Sequence, residues 1–356
     1  LGIGDPDQPT PDPIIDELCR AARDTSDPDR HRYGCDRPVE AWPQAVCDFY
    51  RRRFGVRLGP QQVVTTMGAK DAIAKLALAT LNPDELAIAP SPGYPTYNIG
   101  HVFAGAVTYY APLLPQNDFL IDLEAIPAEV RRQAKILWMN YPNNPTTATA
   151  PLEFFRRAVE FGRQNDILIA QDNAYSENTY DGYEAPSILQ VEGADEVAVE
   201  FFSLSKAFCM TGWRVGAVVG AEAAVSALRT VKENIDNGTP RPVQFAAARA
   251  LSMAEELKPV INSIHQRRRD MVVQALNESG WSIAPPRATI YVWAPVPEKY
   301  KGSSAAFATD LLERAGVVVT PGLGYGQWSD GFFRISLTYP DDVIEKAVAR
   351  IVEAGL

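Results

Sequence analysis

Lys206 follows the apolar run 197–202 within Ser203-Leu204-Ser205-Lys206, and Gly212-Trp213-Arg214-Val215-Gly216 comes shortly after it. A lysine that emerges where a buried strand ends loses hydration, and a nearby arginine further disfavours its charged form. Its amine can then act as a nucleophile and later as a general base. The flanking hydroxyls and the arginine suit the phosphate tail of an aldehyde cofactor, and the amine suits the aldehyde. Alone, a Ser-x-x-Lys string is common by chance and reads as a surface lysine after a strand; the longer string is far more specific.

Other residues carry chemistry of the same kind. Asp172 follows the apolar stretch 167–170, at the strand end where ligand sites of α/β sheets lie, although a turn or capping aspartate looks the same. Gly68-Ala69-Lys70 opens a helical pattern, so the amides of Ala69 and Lys70 can point at a phosphate; an ordinary helix start is the plainer alternative. Arg334 interrupts the apolar stretch 332–337. A planar guanidinium there can grip a carboxylate through two hydrogen bonds, or belong to a structural ion pair. Asn143-Asn144-Pro145 is good turn chemistry in its own right, and Tyr94 between Gly93 and Pro95 reads equally as a packed turn aromatic.

The elements that must position these residues are legible as alternating patterns. Apolar, β-branched runs at 63–66, 86–89, 107–111, 136–140, 167–171, 197–203 and 215–220 predict seven strands of one large sheet covered on both faces. Helical patterns fall at 43–54, 70–81, 152–165 and 221–233, with one long helix over 243–278 expected to join two domains. The last third predicts a smaller α+β unit with strands at 288–294, 317–320 and 332–337 and helices at 304–315 and 341–353. The expected division is 34–250 for the large domain and 1–33 with 251–356 for the small one, as 356 residues exceed what one core usually organises. Gly322-x-Gly324-x-Gly326 lacks dinucleotide-loop spacing and reads as a mobile loop.

A formal net charge of -10 argues against a general nucleic-acid binder. No apolar run approaches the roughly 20 residues that span a bilayer, and the first residues lack the basic-then-apolar pattern of a secretory signal. Leu1 falls inside what resembles a family motif, so upstream residues, a targeting segment among them, can lie outside this sequence. Cys19, Cys35, Cys47 and Cys209 show no C-x-x-C pairing, and with three histidines no metal cluster is expected. A reduced, cytoplasmic setting is the simplest expectation.

With Gly68-Ala69-Lys70, Tyr141-Pro142-Asn143-Asn144-Pro145-Thr146, Asp172-Asn173-Ala174-Tyr175, the Lys206 segment and Phe333-Arg334-Ile335-Ser336 in this order, the chain resembles the class I/II aminotransferases. These are fold type I enzymes dependent on pyridoxal 5'-phosphate (PLP). The wording of Leu1-Gly2-Ile3-Gly4-Asp5-Pro6-Asp7, Pro92-Gly93-Tyr94-Pro95 and Met210-Thr211-Gly212-Trp213-Arg214 is most similar to the LL-diaminopimelate aminotransferases. The resemblance implies an α/β fold type I transferase, with a seven-stranded, mostly parallel sheet and a smaller α+β domain. It implies PLP held by Ala69, Lys70, Tyr94, Asn144, Asp172, Tyr175, Ser203, Lys206 and Arg214. Catalysis falls to Lys206, Asp172 and Tyr175, with Asp172 keeping the pyridine nitrogen protonated, and no metal takes part.

By the same resemblance Ile3, Gly4, Asn144 and Arg334 meet the substrate, and Tyr33 of the neighbouring subunit reaches the phosphate of a homodimer with shared sites. The expected activity moves an amino group between an amino acid and a 2-oxo acid, LL-diaminopimelate and 2-oxoglutarate or a related pair, in lysine biosynthesis. A PLP-dependent lyase or cyclase performing β- or γ-elimination or replacement is the alternative. The chain departs from its relatives in three places: Thr147, where glycine is usual; Cys209, where asparagine is common and a polar substrate contact would be lost; and Gln171, where histidine is frequent.

Overall fold

The computed structural model describes residues 1–34 and 39–355, so Cys35 lies outside the described residues. The seven expected strands all form: β1 (Val63–Thr66), β2 (Leu86–Ser91), β3 (Val107–Pro112), β4 (Ala134–Asn140), β5 (Leu168–Asp172), β6 (Ala198–Ser203) and β7 (Gly216–Gly220). They make one sheet in the order β1-β7-β6-β5-β4-β2-β3. Only β7 runs against its neighbours. The apolar runs are continuous because both faces are covered. In β4, Ile136 and Trp138 join the core on one face while Leu137 and Met139 join the core on the other.

A second core is built around an antiparallel sheet of β8 (Tyr291–Pro295), β9 (Thr320–Pro321) and β10 (Phe332–Ser336), in the order β8-β10-β9. Leu1 is buried in this core, whereas Ile14 of the helix Asp12–Arg23 packs in the core of the large sheet. No helix among the described residues is long and apolar enough to cross a membrane.

Three expectations change. The single helix over 243–278 is two, Arg241–Ser252 and Ala254–Glu278, broken at Met253 (φ -103°, ψ 9°). The Met253 amide turns back to the carbonyls of Arg249 and Ala250, and Glu255 and Glu256 open the second helix, where they complement its dipole. Pro259, the stronger sequence signal, lies inside that second helix. The strand expected over 317–320 reduces to Thr320–Pro321, because the chain before it faces the N-terminal segment. Gly2 O accepts from Thr320 Oγ1 at 2.9 Å, and Leu1 O accepts from the Ser336 amide at 2.8 Å. The strand expected from residue 288 begins only at Tyr291, since Thr289 has φ 76° and cannot continue a ladder.

Candidate active site

The C-terminal ends of β1, β4, β5 and β6 and the start of β7 meet at one edge of the large sheet. The pairings Asn140↔Asp172, Ser203↔Gly216 and Thr66↔Gly216 set its register. A cavity of about 560 Å³ opens there toward the small sheet. Ile3, Gly4, Ala69, Lys70, Tyr94, Asn144, Asp172, Tyr175, Ser203, Lys206, Arg214 and Arg334 all line it. Tyr33 does not; it is 64% exposed.

Lys206 emerges from the short helix Leu204–Ala207, just past β6, and its Nζ donates to Gly4 O at 2.5 Å. Desolvation lowers its pKa to about 8, and the Arg214 and Arg334 charges push the same way against the pull of Asp5. Asp172 is fully enclosed. Tyr97 Oη donates to Oδ2 at 2.9 Å and the Ala174 amide to Oδ1 at 3.3 Å. Burial raises its pKa to about 6, and no cation pairs with it among the described residues.

At the other end of the cavity, Gly68 (φ 79°) caps the helix Ala69–Thr80. The first-turn amides of a helix have no intrahelical partners, and both Ala69 and Lys70 face the cavity. A Cβ on residue 68 would lie 2.7 Å from Arg214 Nη2, which itself donates to Met67 O at 2.9 Å. A glycine is therefore required where the helix start and the guanidinium close around one space. Ser203 lines the same cavity, and its Oγ accepts from the Ser205 amide.

Arg334 projects from β10 with only 6% of its surface exposed. Nη1 donates to Asn144 Oδ1 and Nη2 to Gly2 O, each at 2.7 Å, while Nε has no partner. No carboxylate pairs with it among the described residues, so the structural ion pair weighed from the sequence is not formed. Asn144 is itself held by its amide on Asn140 Oδ1.

Several residues enter the site that no sequence pattern marked: Tyr97, Asn140, Tyr291, Tyr325 and Thr320. Tyr94-x-x-Tyr97, running into the helix Thr96–Ala104, was the available signal for Tyr97. The stretch 322–326 is pinned rather than loose. Tyr325 O accepts from the Gly93 amide at 3.1 Å, Ser304 Oγ accepts from the Leu323 amide, and Ser329 Oγ donates to Gly322 O.

The family pattern of aminotransferases class I and II matches residues 1–351. This chain belongs to that family. The aminotransferase is 47% identical over 352 residues to an LL-diaminopimelate aminotransferase of Moorella thermoacetica, covering 99% of this chain and 89% of the relative. A namesake from Gloeobacter violaceus is 46% identical over 358 residues, covering 100% and 90%. Among solved structures, substrate-bound BacF from Bacillus subtilis superposes with a TM-score of 0.95 at 35% identity, covering 100% of this chain and 90% of that one. A probable N-succinyldiaminopimelate aminotransferase from Thermus thermophilus gives 0.92 at 35%, covering 99% and 94%.

The protein is thus a PLP-dependent aminotransferase of fold type I, acting on an amino acid and a 2-oxo acid. The cavity fits the cofactor on its own evidence: a buried carboxylate lacking a cation, an amine of lowered pKa, and a space between a helix start and a guanidinium that a Cβ would fill.

Two departures from relatives acquire physical readings. Cys209 does not line the cavity; it has φ 54°, and its carbonyl accepts from Thr10 Oγ1 at 2.7 Å. Asparagine tolerates that backbone region better than most residues, so an asparagine at this position would also suit the turn. Thr147 has φ 62°, a costly conformation for a β-branched residue. Thr147→Gly is expected to raise stability by about 0.5–1 kcal/mol, the strain relieved less glycine's added unfolded-state entropy. A denaturant midpoint unchanged or lowered by the substitution would refute this.

Proposed function

We propose that this aminotransferase takes LL-diaminopimelate as amino donor and 2-oxoglutarate as acceptor. The observation that carries the site reading is one cavity holding three uncompensated groups: the Lys206 amine, the Asp172 carboxylate and the Arg334 guanidinium. The substrate reading rests on relatives named for LL-diaminopimelate at 47% and 46% identity over nearly the whole chain.

PLP, when bound, supplies an electrophilic carbonyl and an electron-accepting ring. The first-turn amides of Ala69 and Lys70, with Ser203 and Arg214, would hold its phosphate. Asp172 would hold the proton of its ring nitrogen, Tyr94 would pack against the ring, and Asn144 and Tyr175 would bond its phenolic oxygen. Lys206 tethers the cofactor at rest. With the donor in place, the Lys206 amine would take the proton from the donor Cα. In the second half-reaction it delivers a proton to the Cα of the acceptor. Arg334 would grip the α-carboxylate, and Ile3 and Gly4 would close the other side of the substrate.

We further infer a homodimer in which Tyr33, exposed and outside its own chain's cavity, reaches the neighbour's phosphate. The two-domain division at 34–250 against 1–33 with 251–356 is kept in this reading, with the helix Asp12–Arg23 lying against the larger domain. A reduced cytoplasmic setting accords with the free thiols of Cys19, Cys47 and Cys209.

Single-turnover absorbance with a panel of amino acids tests the proposal. LL-diaminopimelate is expected to convert the bound cofactor to its pyridoxamine form within one turnover, and 2-oxoglutarate to restore the starting spectrum. If another amino acid does this and LL-diaminopimelate does not, the substrate assignment fails and the aminotransferase stands.

A further inference from the structure

Tyr291 has no part in the roles above, yet it touches three of the groups that carry them. Its hydroxyl lies 3.1 Å from that of Tyr175. Its ring lies 4.0 Å from the guanidinium carbon of Arg334, with the ring of Tyr325 at 5.2 Å from the same carbon. Its Oη also fills the space that a Cβ on residue 4 would need, 1.9 Å from that position, so Gly4 can pass over Lys206 only as glycine. The side chain is 3% exposed.

The backbone that delivers Tyr291 is strained and tightly held. Thr289, fully buried with φ 76°, is a β-branched residue in the left-handed region. Such a conformation persists only where its surroundings over-determine it. Here the Thr289 amide donates to Asn178 O at 2.8 Å, Thr289 O accepts from the Tyr180 hydroxyl, and Thr289 Oγ1 accepts from the Tyr291 amide at 3.3 Å. Ala288 pairs with Thr179. While the Leu337 amide donates to Ile290 O at 3.0 Å, the anchors of Ala288 and Thr289 outside the turn thus lie in 178–180, the chain immediately beyond Tyr175. The strain maintains a fixed offset between that chain and the start of β8, and the offset brings the two phenols within hydrogen-bonding range.

We propose that Tyr291 is a positioning residue for transamination: its ring holds the Arg334 guanidinium in line for the substrate carboxylate, and its hydroxyl holds the Tyr175 phenol toward the cofactor. The proposal rests on the roles given above to Arg334 and Tyr175. A desolvated cation over an aromatic face is attracted to it, and both Nη groups of Arg334 are already bonded, so the ring is the contact that limits tilt about the remaining axis. A phenol that bonds Tyr175 constrains where the Tyr175 hydroxyl points. The ionisable groups around the phenol are Tyr175, Tyr325 and Arg334.

The test compares Tyr291→Leu, Tyr291→Phe and Arg334→Ala holoenzymes. Tyr291→Leu is expected to raise KM about tenfold for amino and 2-oxo acids alike, the scale of a lost buried cation–π contact, with kcat within about threefold of wild type. Tyr291→Phe keeps the ring. KM should stay within about twofold, while the pH midpoint of the bound cofactor's visible absorbance moves by about half a unit, roughly threefold in equilibrium constant. A packing role would leave that midpoint in place. An unchanged midpoint in Tyr291→Phe, or an unchanged KM in Tyr291→Leu while Arg334→Ala raises it, overturns the role of Tyr291 alone. An unchanged KM in Arg334→Ala overturns the carboxylate assignment and this proposal with it.

Discussion

Asp172→Asn should cost the aminotransferase on the order of a thousandfold in kcat/KM, about 4 kcal/mol of transition-state stabilisation, while making the cofactor-free protein more stable at neutral pH. The two effects share one cause. Burial raises the folded-state pKa of Asp172 from 3.8 to about 6. Between those values the folded cofactor-free protein binds more protons than the unfolded chain, so stability from this group falls as pH rises from about 4 to 6. Above that window the ionised carboxylate carries a penalty on the order of 3 kcal/mol, which a protonated ring nitrogen would offset.

Asparagine fits the same space, accepts from Tyr97 and carries no charge, so the penalty disappears along with the partner for that nitrogen. Urea unfolding of cofactor-free wild type and variant from pH 4 to 8, beside steady-state rates, checks both halves. Activity within about tenfold of wild type, or an unaltered pH slope of stability, would mean that Asp172 only packs.

Lys206→Ala is expected to lower kcat by about 10⁴ or more, since it removes both the tether and the proton carrier, and general acid–base catalysis alone accounts for about 10²–10⁴. Among the described residues no carboxylate pairs with Lys206, the one hydrogen bond of its amine going to Gly4 O, so no neighbour is placed to take over. Cofactor retention should survive, because the Gly68–Lys70 turn, Ser203 and Arg214 are untouched. Borohydride reduction followed by peptide mass spectrometry should find a pyridoxyl group on Lys206 in wild type. A small primary amine should restore part of the variant's activity. Wild-type protein reduced without modification of Lys206, or a variant retaining a tenth of the activity, would remove the residue from its role.

The sequence displayed the large sheet because each strand is buried on two faces, which leaves an apolar run that no helix period explains. Lys206, Asp172 and Arg334 stood out for the complementary reason: each is a charge at the end or in the middle of such a run, where solvation is lost. Tyr291 did not stand out, because an aromatic residue in an apolar segment reads as packing, and Tyr97 and Tyr325 lie in Gly-containing sequence where a tyrosine carries no pattern of its own. Tyr291 gains its meaning only by meeting Tyr175, 116 residues away. The break at Met253 was hidden because neither glycine nor proline marks it, and Pro259 pointed to a place where the helix continues. The positive φ of Cys209 was equally hidden, because nothing in the neighbouring residues marks a left-handed turn there.

The reversal of β7 has a consequence for how the protein acquires its site. Because β7 returns antiparallel beside β6, one short connection that starts from Ser203 at the end of β6 carries Lys206 and Arg214 without a crossover. Such a unit has low contact order, and local pairings form sooner than distant ones. Arg334 reaches Asn144 across 190 residues and Gly2 across 332, and Lys206 reaches Gly4 across 202. The span between amine and guanidinium is therefore gauged by a dozen neighbouring residues, whereas the substrate side of the cleft waits on the slowest closures in the chain.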